Sequence, residues 1–273
     1  MYTFGRYELL CEIASGGMAT VFAARVAGAV GFEKLVAIKR MLPAMSEDPR
    51  FRNMFLDEAR VAAHINSPYV VSTFDLDAAP DGSLYIVMDL VVGCSLADIL
   101  RSLDVPELPF AVVATIGEQA ARGLHDAHEA RTTLGEALRI VHRDVSPQNI
   151  LVGIDAATRI TDFGVAHAAE RLTKTQGNNV KGKLAYCSPE QLRSEPLDRR
   201  SDIFSLGIVL WEALTKQRLF RRQDTSECLR AILSDPIPDP RTVRPDIPPA
   251  LAAIVMRALA PAPDVTLATA GDL

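Results

Sequence analysis

The chain lacks several features that would assign it to a membrane, a metal site or an oxidising compartment. No window of its 273 residues reaches about 18 uninterrupted apolar residues, so we expect no membrane-spanning helix. The four cysteines lie far apart, without a CxxC pair or metal-ligand spacing, which favours scattered reduced thiols. The opening MYTFGRYELL has neither the basic start nor the apolar run of a signal peptide. The expected compartment is therefore the cytoplasm.

An excess of basic charge is also absent. The chain has 29 Lys and Arg residues against 34 Asp and Glu residues, for a formal net charge of −5. Nucleic acids and anionic membranes are recognised through basic patches, so we expect neither as the main partner. The remaining composition, 48% apolar and 23% charged, is typical of a globular protein that can bury a sizeable core.

The hydrophobic pattern changes along the chain. Residues 7–41 contain three short alternating segments rich in β-formers, and two more follow within 69–92. Between them, residues 48–65 adopt a helical period with a proline at its start. After Gly93 the pattern is mostly helical. This order predicts an α+β protein, in which a small antiparallel β lobe with one helix joins a larger, mainly α lobe.

Four features of this pattern carry chemistry, and each has an ordinary alternative. The small residues of LCEIASGGMATVF lie between two predicted strands, where backbone N–H groups could cover phosphates; a plain turn is the alternative. Lys39 lies in the apolar segment VAIKR, where a lysine is unfavourable unless it is paired or faces solvent. Glu58 and Asp162, each taken alone, are compatible with a solvated helical glutamate and a turn aspartate.

The order of these residues resembles the signature of the protein kinases. Lys39 of VAIK precedes Glu58 in the next predicted helix, and IVHRDVSPQNILV follows, with Asn149 five residues after Asp144. The later motifs are Asp162-Phe163-Gly164 and Ser188-Pro189-Glu190. From residue 7 almost to its end, the chain is similar to bacterial eukaryotic-like Ser/Thr protein kinases.

The resemblance implies a bilobal protein-kinase fold. One kinase domain would extend over residues 1–273, with the N-lobe at 7–91 and the C-lobe at 92–273. It also implies ATP and Mg²⁺ as cofactors, bound between the lobes, and a protein substrate with a Ser or Thr hydroxyl.

The same resemblance implies a role for each motif residue. Lys39 would hold the α- and β-phosphates of ATP and would be oriented by Glu58. Asn149 and Asp162 would hold Mg²⁺, a hard cation that suits oxygen ligands. Asp144 would accept or orient the proton of the attacking hydroxyl.

The remaining nucleotide contacts implied by the resemblance come from the hairpin, the strands and the join between the lobes. The residues expected around adenine are Val21, Ala37 and Leu151, with the backbone of Asp89 and Val91 after the large apolar Met88. The residues expected over the phosphates are Ile13, Ala14, Ser15, Gly16, Gly17, Met18 and Ala19.

Two further expectations concern the catalytic loop and its surroundings. Asp202 in SDIFSLGIVLWE matches the aspartate that anchors the catalytic loop from below. Arg143 is of the kind that pairs with a phosphorylated activation segment, which makes Thr173 and Thr175 candidate sites of autophosphorylation. Simple solvated loop residues are the alternative for both threonines.

The chain departs from the family pattern in its glycine-rich hairpin. The usual G-x-G-x-x-G is Ala14-Ser15-Gly16-Gly17-Met18-Ala19 here. A positive φ at either alanine would cost on the order of 1–2 kcal/mol, whereas a strand-like φ would cost nothing.

A second departure is an exchange of residue types. Ser146 occupies the position of the lysine that, in this family, contacts the γ-phosphate and a threonine before the Pro-Glu motif. Lys183 occupies the position of that threonine. We therefore predict that Lys183 reaches back over Ser146 and supplies a catalytic positive charge; the alternative is a lysine that faces solvent.

The last departures concern the C-terminal part. Glu190 usually pairs with a late arginine, whose place is taken here by Thr266. The substitute partners considered from the sequence are Arg199, Arg200 and Arg257. The chain also stops at Leu273, where the family's last helix would barely have begun, so we expect either a clipped or an unusually short end.

Three classes of function remain open from the sequence. An active Ser/Thr protein kinase is favoured by Lys39, Asp144, Asn149 and Asp162. A nucleotide-binding pseudokinase is the alternative suggested by the altered hairpin and by Thr266. A small-molecule phosphotransferase is disfavoured by the Ser-Pro-Glu motif, which in the kinases belongs to a platform for a peptide.

Overall fold

The computed structural model describes residues 3–28, 31–163, 183–220, 222, 224–260 and 267–273. Its N-terminal part is a six-stranded antiparallel sheet in the order β1-β2-β3-β4-β6-β5. The strands are β1 Thr3–Phe4, β2 Tyr7–Ser15, β3 Ala19–Ala27, β4 Glu33–Met41, β5 Thr73–Ala78 and β6 Leu84–Asp89.

Two helices interrupt this sheet in sequence, a short α1 at Pro43–Ser46 and a longer α2 at Pro49–Ala62. Helix α2 begins at the N-cap Asp48, whose side chain accepts a hydrogen bond from the backbone of Arg50. A proline follows at its first position, where the missing N–H is not needed. These signals are local, which is why the sequence pattern located this helix to within a few residues.

The alternation of side chains on β4 explains where the N-terminal core lies. Val36 and Ile38 pack on one face of the sheet, with Tyr85 and Val87. Ala37 and Met41 point to the other face and pack against Phe55 and Ala59 of α2, among others. Lys39 belongs by position to this second face, so the strand aims it at α2.

The C-terminal part is mainly helical. Its helices in the described residues are α3 Leu96–Arg101, α4 Phe110–His128, α5 Pro189–Leu192, α6 Arg199–Thr215, α7 Thr225–Ser234 and α8 Pro249–Ala258. Short 3₁₀ helices lie at Pro147–Asn149, Pro240–Thr242 and Ala270–Asp272. Within the described ranges, no helix combines the length and the apolar character needed to cross a membrane.

Helix α6 is the centre of this part. Every residue from Ser201 to Thr215 is buried, so the helix has no solvent face to make it amphipathic. Helices α4 and α8 pack against it in the large core cluster. Because α6 is enclosed on all sides, its polar residues must find partners inside the protein.

A small second sheet carries part of the candidate site. It contains β7 Gly93–Ser95, β8 Ile150–Gly153 and β9 Thr158–Ile160, paired antiparallel in that order. Residue 149 directly precedes β8 and residue 162 closely follows β9, so the β8–β9 hairpin brings the ends of the two segments side by side. The backbone confirms this closeness, since the N–H of Thr161 donates to the carbonyl of Asn149 over 3.0 Å.

Candidate active site

Lys39 forms two ion pairs that join three separate elements. Its Nζ lies 2.5 Å from Oε1 of Glu58, on α2, and 2.8 Å from Oδ1 of Asp162, just after β9. The Lys39 and Glu58 side chains are only 12% and 15% exposed. The sequence placed these residues in one site, and the structure brings them into direct contact.

The charges in this cluster depend on each other. Burial disfavours the ammonium form of Lys39, but Asp162 and Glu58 together raise its pKa above the ordinary value. Burial raises the pKa of Glu58, with Lys39 opposing the effect. Burial also opposes ionisation of Asp162, yet the attraction of Lys39 holds its pKa below the ordinary range. The ion pair and both shifts therefore favour the charged form of Lys39 beside an ionised Asp162.

Asp162 is held in a backbone conformation that side chains rarely adopt. Its φ is 59°, in the left-handed region, where a residue other than glycine is mildly strained. The next residue, Phe163, is buried and its ring lies 4.6 Å from the ring of His142. The buried ring anchors the residue that follows Asp162, and the Asp162 carboxylate lies on Lys39. Gly164 lies outside the described residues.

The catalytic loop is anchored through its backbone by Asp202, in the first turn of α6. Oδ2 of Asp202 accepts a hydrogen bond from the N–H of His142, and Oδ1 accepts one from the N–H of Arg143, both over 2.8 Å. The buried His128 of α4 lies 2.8 Å from Oδ2 through its Nε2. Arg143 has a φ of 66°. The resemblance implied the role of Asp202, whereas the sequence interpretation missed His128 because its partner is 74 residues away.

Asn149 holds Asp144 in place. Its Nδ2 donates to the main-chain oxygen of Asp144 over 2.8 Å and to Oδ2 over 3.1 Å. Both residues are buried. Because the amide nitrogen of Asn149 is directed to Asp144, its amide oxygen is directed elsewhere, as a metal ligand would require.

Lys183 also contacts Asp144, from a different part of the chain. Its Nζ lies 2.7 Å from Oδ2 of Asp144. The Lys183 side chain is 36% exposed, whereas that of Asp144 is 3% exposed. Ser146 is buried, and its hydroxyl has no hydrogen-bond partner among the residues that the structure describes. The lysine therefore lies on the catalytic loop instead of facing only solvent.

The residues expected around adenine share one apolar cluster. Ala37 and Met88 are buried in it together with Ala19, and Val21, Val91 and Leu151 pack against them at its edge. The N–H of Asp89 donates to the carbonyl of Ser72 over 3.0 Å, and its side chain pairs with Lys34 over 3.1 Å. The group that Asp89 can offer to a nucleotide is therefore its carbonyl.

The hairpin between β2 and β3 has the strand geometry that its alanines require. Ala14 lies one residue before the end of β2, opposite Val21. Ala19 begins β3 opposite Met41. Neither alanine has a positive φ. The turn between them is closed by a hydrogen bond from the N–H of Gly16 to the carbonyl of Ala19. Ile13, Ser15 and Gly17 are exposed and Met18 is partly so. The two alanines thus fit the hairpin without backbone strain.

Glu190 has a partner that the sequence interpretation did not consider. Its Oε1 accepts a hydrogen bond from the hydroxyl of Ser201 over 2.5 Å. Arg199 forms an ion pair with Glu129, and Arg200 forms one with Asp198. Ser201 was missed because a hydroxyl partner leaves no charge signal in the sequence. Thr173, Thr175 and Thr266 lie outside the described residues.

Comparisons with known proteins agree with this geometry. A model of the protein kinase domain family matches residues 7–261. The tyrosine-protein kinase MasK of Myxococcus xanthus is 42% identical over 269 residues, covering 98% of this chain and 42% of MasK. The serine/threonine-protein kinase PknE of Mycobacterium tuberculosis is 37% identical, covering 99% of this chain and 45% of PknE. The chain therefore spans less than half the length of these relatives.

A solved structure is also similar over nearly the whole chain. The kinase domain of PknI from Mycobacterium tuberculosis matches with a TM-score of 0.70 and 26% identity, covering 99% of this chain and 94% of that domain. The predicted α+β, bilobal kinase fold is confirmed by this likeness together with the observed sheet and helices. The chain belongs to the protein kinase domain family.

Proposed function

We propose that this chain is an active kinase domain that transfers the γ-phosphoryl group of Mg-ATP to Ser or Thr hydroxyls of proteins. The observation that carries the proposal is the contact of Lys39 with both Glu58 and Asp162. These ion pairs join the β lobe, through α2 and β4, to the segment after β9. They hold the ammonium of Lys39 at a place where the phosphate oxygens of a nucleotide can take over its contact with one of the two carboxylates.

The residues at this place fit Mg-ATP. Asp162 supplies carboxylate oxygens, and Asn149 has its amide oxygen directed away from Asp144, so both can serve as oxygen ligands for Mg²⁺. When bound, Mg²⁺ neutralises charge on the phosphate oxygens. Lys39 would then orient the α- and β-phosphates, and the apolar cluster around Ala37 and Met88 would receive adenine.

Asp144 is the group that we assign to the acceptor hydroxyl. Asn149 fixes its orientation, and Asp202 fixes the backbone before it. A carboxylate positioned in this way orients the hydroxyl and accepts its proton as the O–P bond forms. The covering hairpin, Ile13 to Ala19, would exclude water from the phosphates.

We also place the division between the lobes at residues 91 and 92. We place the domain in the cytoplasm, because Mg-ATP is supplied there. Thr173 and Thr175 remain our candidates for autophosphorylation. Ser/Thr acceptors are favoured by HRDVSPQN, which lacks the small residues that tyrosine kinases tend to show after the aspartate, and PknE carries the same specificity in its name. The name of MasK makes tyrosine the acceptor to test beside them.

The test is mass spectrometry of the purified chain after incubation with Mg-ATP and a basic acceptor protein. We expect phosphate on Ser or Thr, and the amount transferred should fall by about 100-fold or more in Asp144→Asn. The control is Asp57→Asn, because Asp57 is an exposed residue of α2 paired with Arg60, and it should keep wild-type activity. Nucleotide binding without transfer to any protein would contradict the proposal and support the pseudokinase. Phosphotyrosine alone would overturn the assigned acceptor class.

A further inference from the structure

The segment Lys183–Leu192 is attached to the large lobe at several points. The Tyr186 hydroxyl donates to Oε2 of Glu212, on α6, over 2.7 Å. The hydroxyl of Ser205, also on α6, donates to the carbonyl of Tyr186 over 2.7 Å. At its other end, Nε2 of Gln191 donates to the carbonyl of Arg143 in the catalytic loop over 2.8 Å. The position of this segment is therefore set by the buried helix α6 together with the catalytic loop.

Lys183 depends on the same attachment. The N–H of Tyr186 donates to the carbonyl of Lys183 over 3.1 Å, which forms a turn between the two residues. The lysine is thus three residues from a side chain that is buried against α6. When this turn is docked, the ammonium of Lys183 lies on Asp144. When it is not docked, the backbone no longer directs Lys183 to that place.

The catalytic loop supplies no cation of its own after Asp144. Residues 144–149 are Asp-Val-Ser-Pro-Gln-Asn, without a lysine or an arginine. Ser146, in the middle, is 1% exposed and its hydroxyl has no partner in the described part of the chain. Lys39 is engaged with Glu58 and Asp162. Lys183 is therefore the ammonium that the described residues place beside the reacting carboxylate.

We propose that Lys183 is a catalytic residue that contacts the transferred phosphoryl group, and that docking of the segment Lys183–Leu192 delivers it. The inference rests on the proposed function. In the reaction, the acceptor oxygen forms a bond to the γ-phosphorus, the bond from that phosphorus to the ADP oxygen breaks, and the hydroxyl proton goes to Asp144. The leaving ADP takes the bonding electron pair. Lys183 transfers no proton and stabilises the negative charge on the phosphoryl oxygens.

A first experiment measures kcat and KM for ATP in Lys183→Ala, with a saturating acceptor protein. Loss of a group that acts in the transition state should lower kcat by about 100-fold and leave KM within about threefold. Lys183→Arg, which keeps the charge, should retain at least about tenfold more activity than Lys183→Ala. The control is Arg101→Ala, because Arg101 is an exposed cation paired with Asp98 and should keep both values.

A second experiment moves the cation into the catalytic loop. The double variant Ser146→Lys, Lys183→Thr should be at least about tenfold more active than Lys183→Thr alone. Tyr186→Phe, which removes the hydrogen bond to Glu212, should lower kcat of the wild type by about fivefold. Added to the double variant Ser146→Lys, Lys183→Thr, the same Tyr186→Phe change should lower kcat by less than about twofold, because the cation then no longer depends on docking. Circular dichroism checks that each variant is folded.

The outcomes separate this inference from the proposed function. A wild type that transfers phosphate while Lys183→Ala retains more than about a third of its kcat would overturn the catalytic role alone. Equal effects of Tyr186→Phe in both backgrounds would overturn delivery by docking. A wild type without transfer would refute the proposed function and, with it, the role of Lys183.

Discussion

The carboxylate of Glu212 lies inside the large lobe, in the last turn of helix α6. It is 2% exposed and forms an ion pair with Arg218 over 2.6 Å. It also accepts hydrogen bonds from the hydroxyl of Tyr186 over 2.7 Å and the N–H of Leu219 over 3.1 Å. Burial raises the pKa of Glu212, while Arg218 opposes the increase. The charge is therefore tolerated only because three donors satisfy it.

Removing Arg218 should make the stability depend more steeply on pH. In Arg218→Met the pKa of Glu212 rises further, so the folded state binds a proton that the unfolded state releases above about pH 4.3. Stability then falls as pH rises through this window. We expect the free energy of unfolding to decrease by about 3 kcal/mol at neutral pH and by less at acidic pH.

Urea unfolding of both proteins at about pH 5 and about pH 7.5 measures this effect. The control is Arg101→Met, because Arg101 forms an exposed ion pair with Asp98 and should lose less than about 1 kcal/mol at either pH. An equal loss at both pH values in Arg218→Met would show that the charge of Glu212 is not the cause.

At this scale the sequence predicts best where residue type and spacing carry the chemistry. Lys39, Glu58, Asp144, Asn149 and Asp162 were all placed in one site, and the described contacts join Lys39 to two of them and Asp144 to Asn149. The partners formed by folding were not found in the same way. The Ser201 hydroxyl on Glu190 has no charge that would have indicated it.

Among the elements, the β2–β3 hairpin differs most visibly from the family pattern. The outer glycines of that pattern are alanines here, and they lie in paired strands with ordinary backbone angles. Glycine in a strand loses more conformational freedom on folding than alanine does. The two alanines that depart from the family pattern therefore make the hairpin more rigid.

Restoring the family pattern should weaken the fold without improving nucleotide binding. Ala14→Gly combined with Ala19→Gly should lower the free energy of unfolding by about 1–2 kcal/mol in total. The Kd for Mg-ATP should change by less than about threefold, because neither alanine restricts the turn at Gly16 and Gly17. Thermal unfolding and calorimetric titration measure the two effects. Binding tightened by more than about tenfold would show that the alanines obstruct the phosphates.

The limits of prediction at the element scale follow from length. Helix α2, predicted over 48–65, was located to within a few residues because it is long enough to show its period. The mostly helical pattern predicted after Gly93 is confirmed by α4, α6, α7 and α8. Two strands expected within 69–92 are shorter in the structure, at Thr73–Ala78 and Leu84–Asp89. Strand β7 has only three residues, too few to show an alternating pattern, so its pairing with β8 in the small sheet was not predicted.

The part of the chain that the structure describes has separate hydrophobic cores on either side of the candidate active site. One large cluster surrounds α6, and two smaller ones cover the faces of the six-stranded sheet. The ion pair of Lys39 with Asp162 joins these regions across the site. A ligand held by residues of both regions should therefore stabilise the whole chain.

Mg-ATP should raise the melting temperature, and the metal should be needed for the full effect. At about 100 times Kd, a ligand that binds only the folded state adds about 2.7 kcal/mol, or about 5–10 °C for a chain of this size. Differential scanning fluorimetry with ATP, with and without EDTA, measures the shift. Asp162→Asn should lose the Mg²⁺-dependent part, whereas the exposed Asp155→Asn should keep it. Equal shifts with and without EDTA would contradict the assignment of metal ligands.

Asp202 has a consequence for which substitutions the chain can accept. Its two oxygens bind main-chain N–H groups of residues 142 and 143, which every amino acid except proline provides. The anchor thus recognises the peptide backbone and is indifferent to side-chain identity at those two positions. Proline at either position would remove one of these bonds, and at 143 its fixed negative φ would also conflict with the observed 66°. This attachment therefore bars one amino acid from two neighbouring places without using the side chain of either.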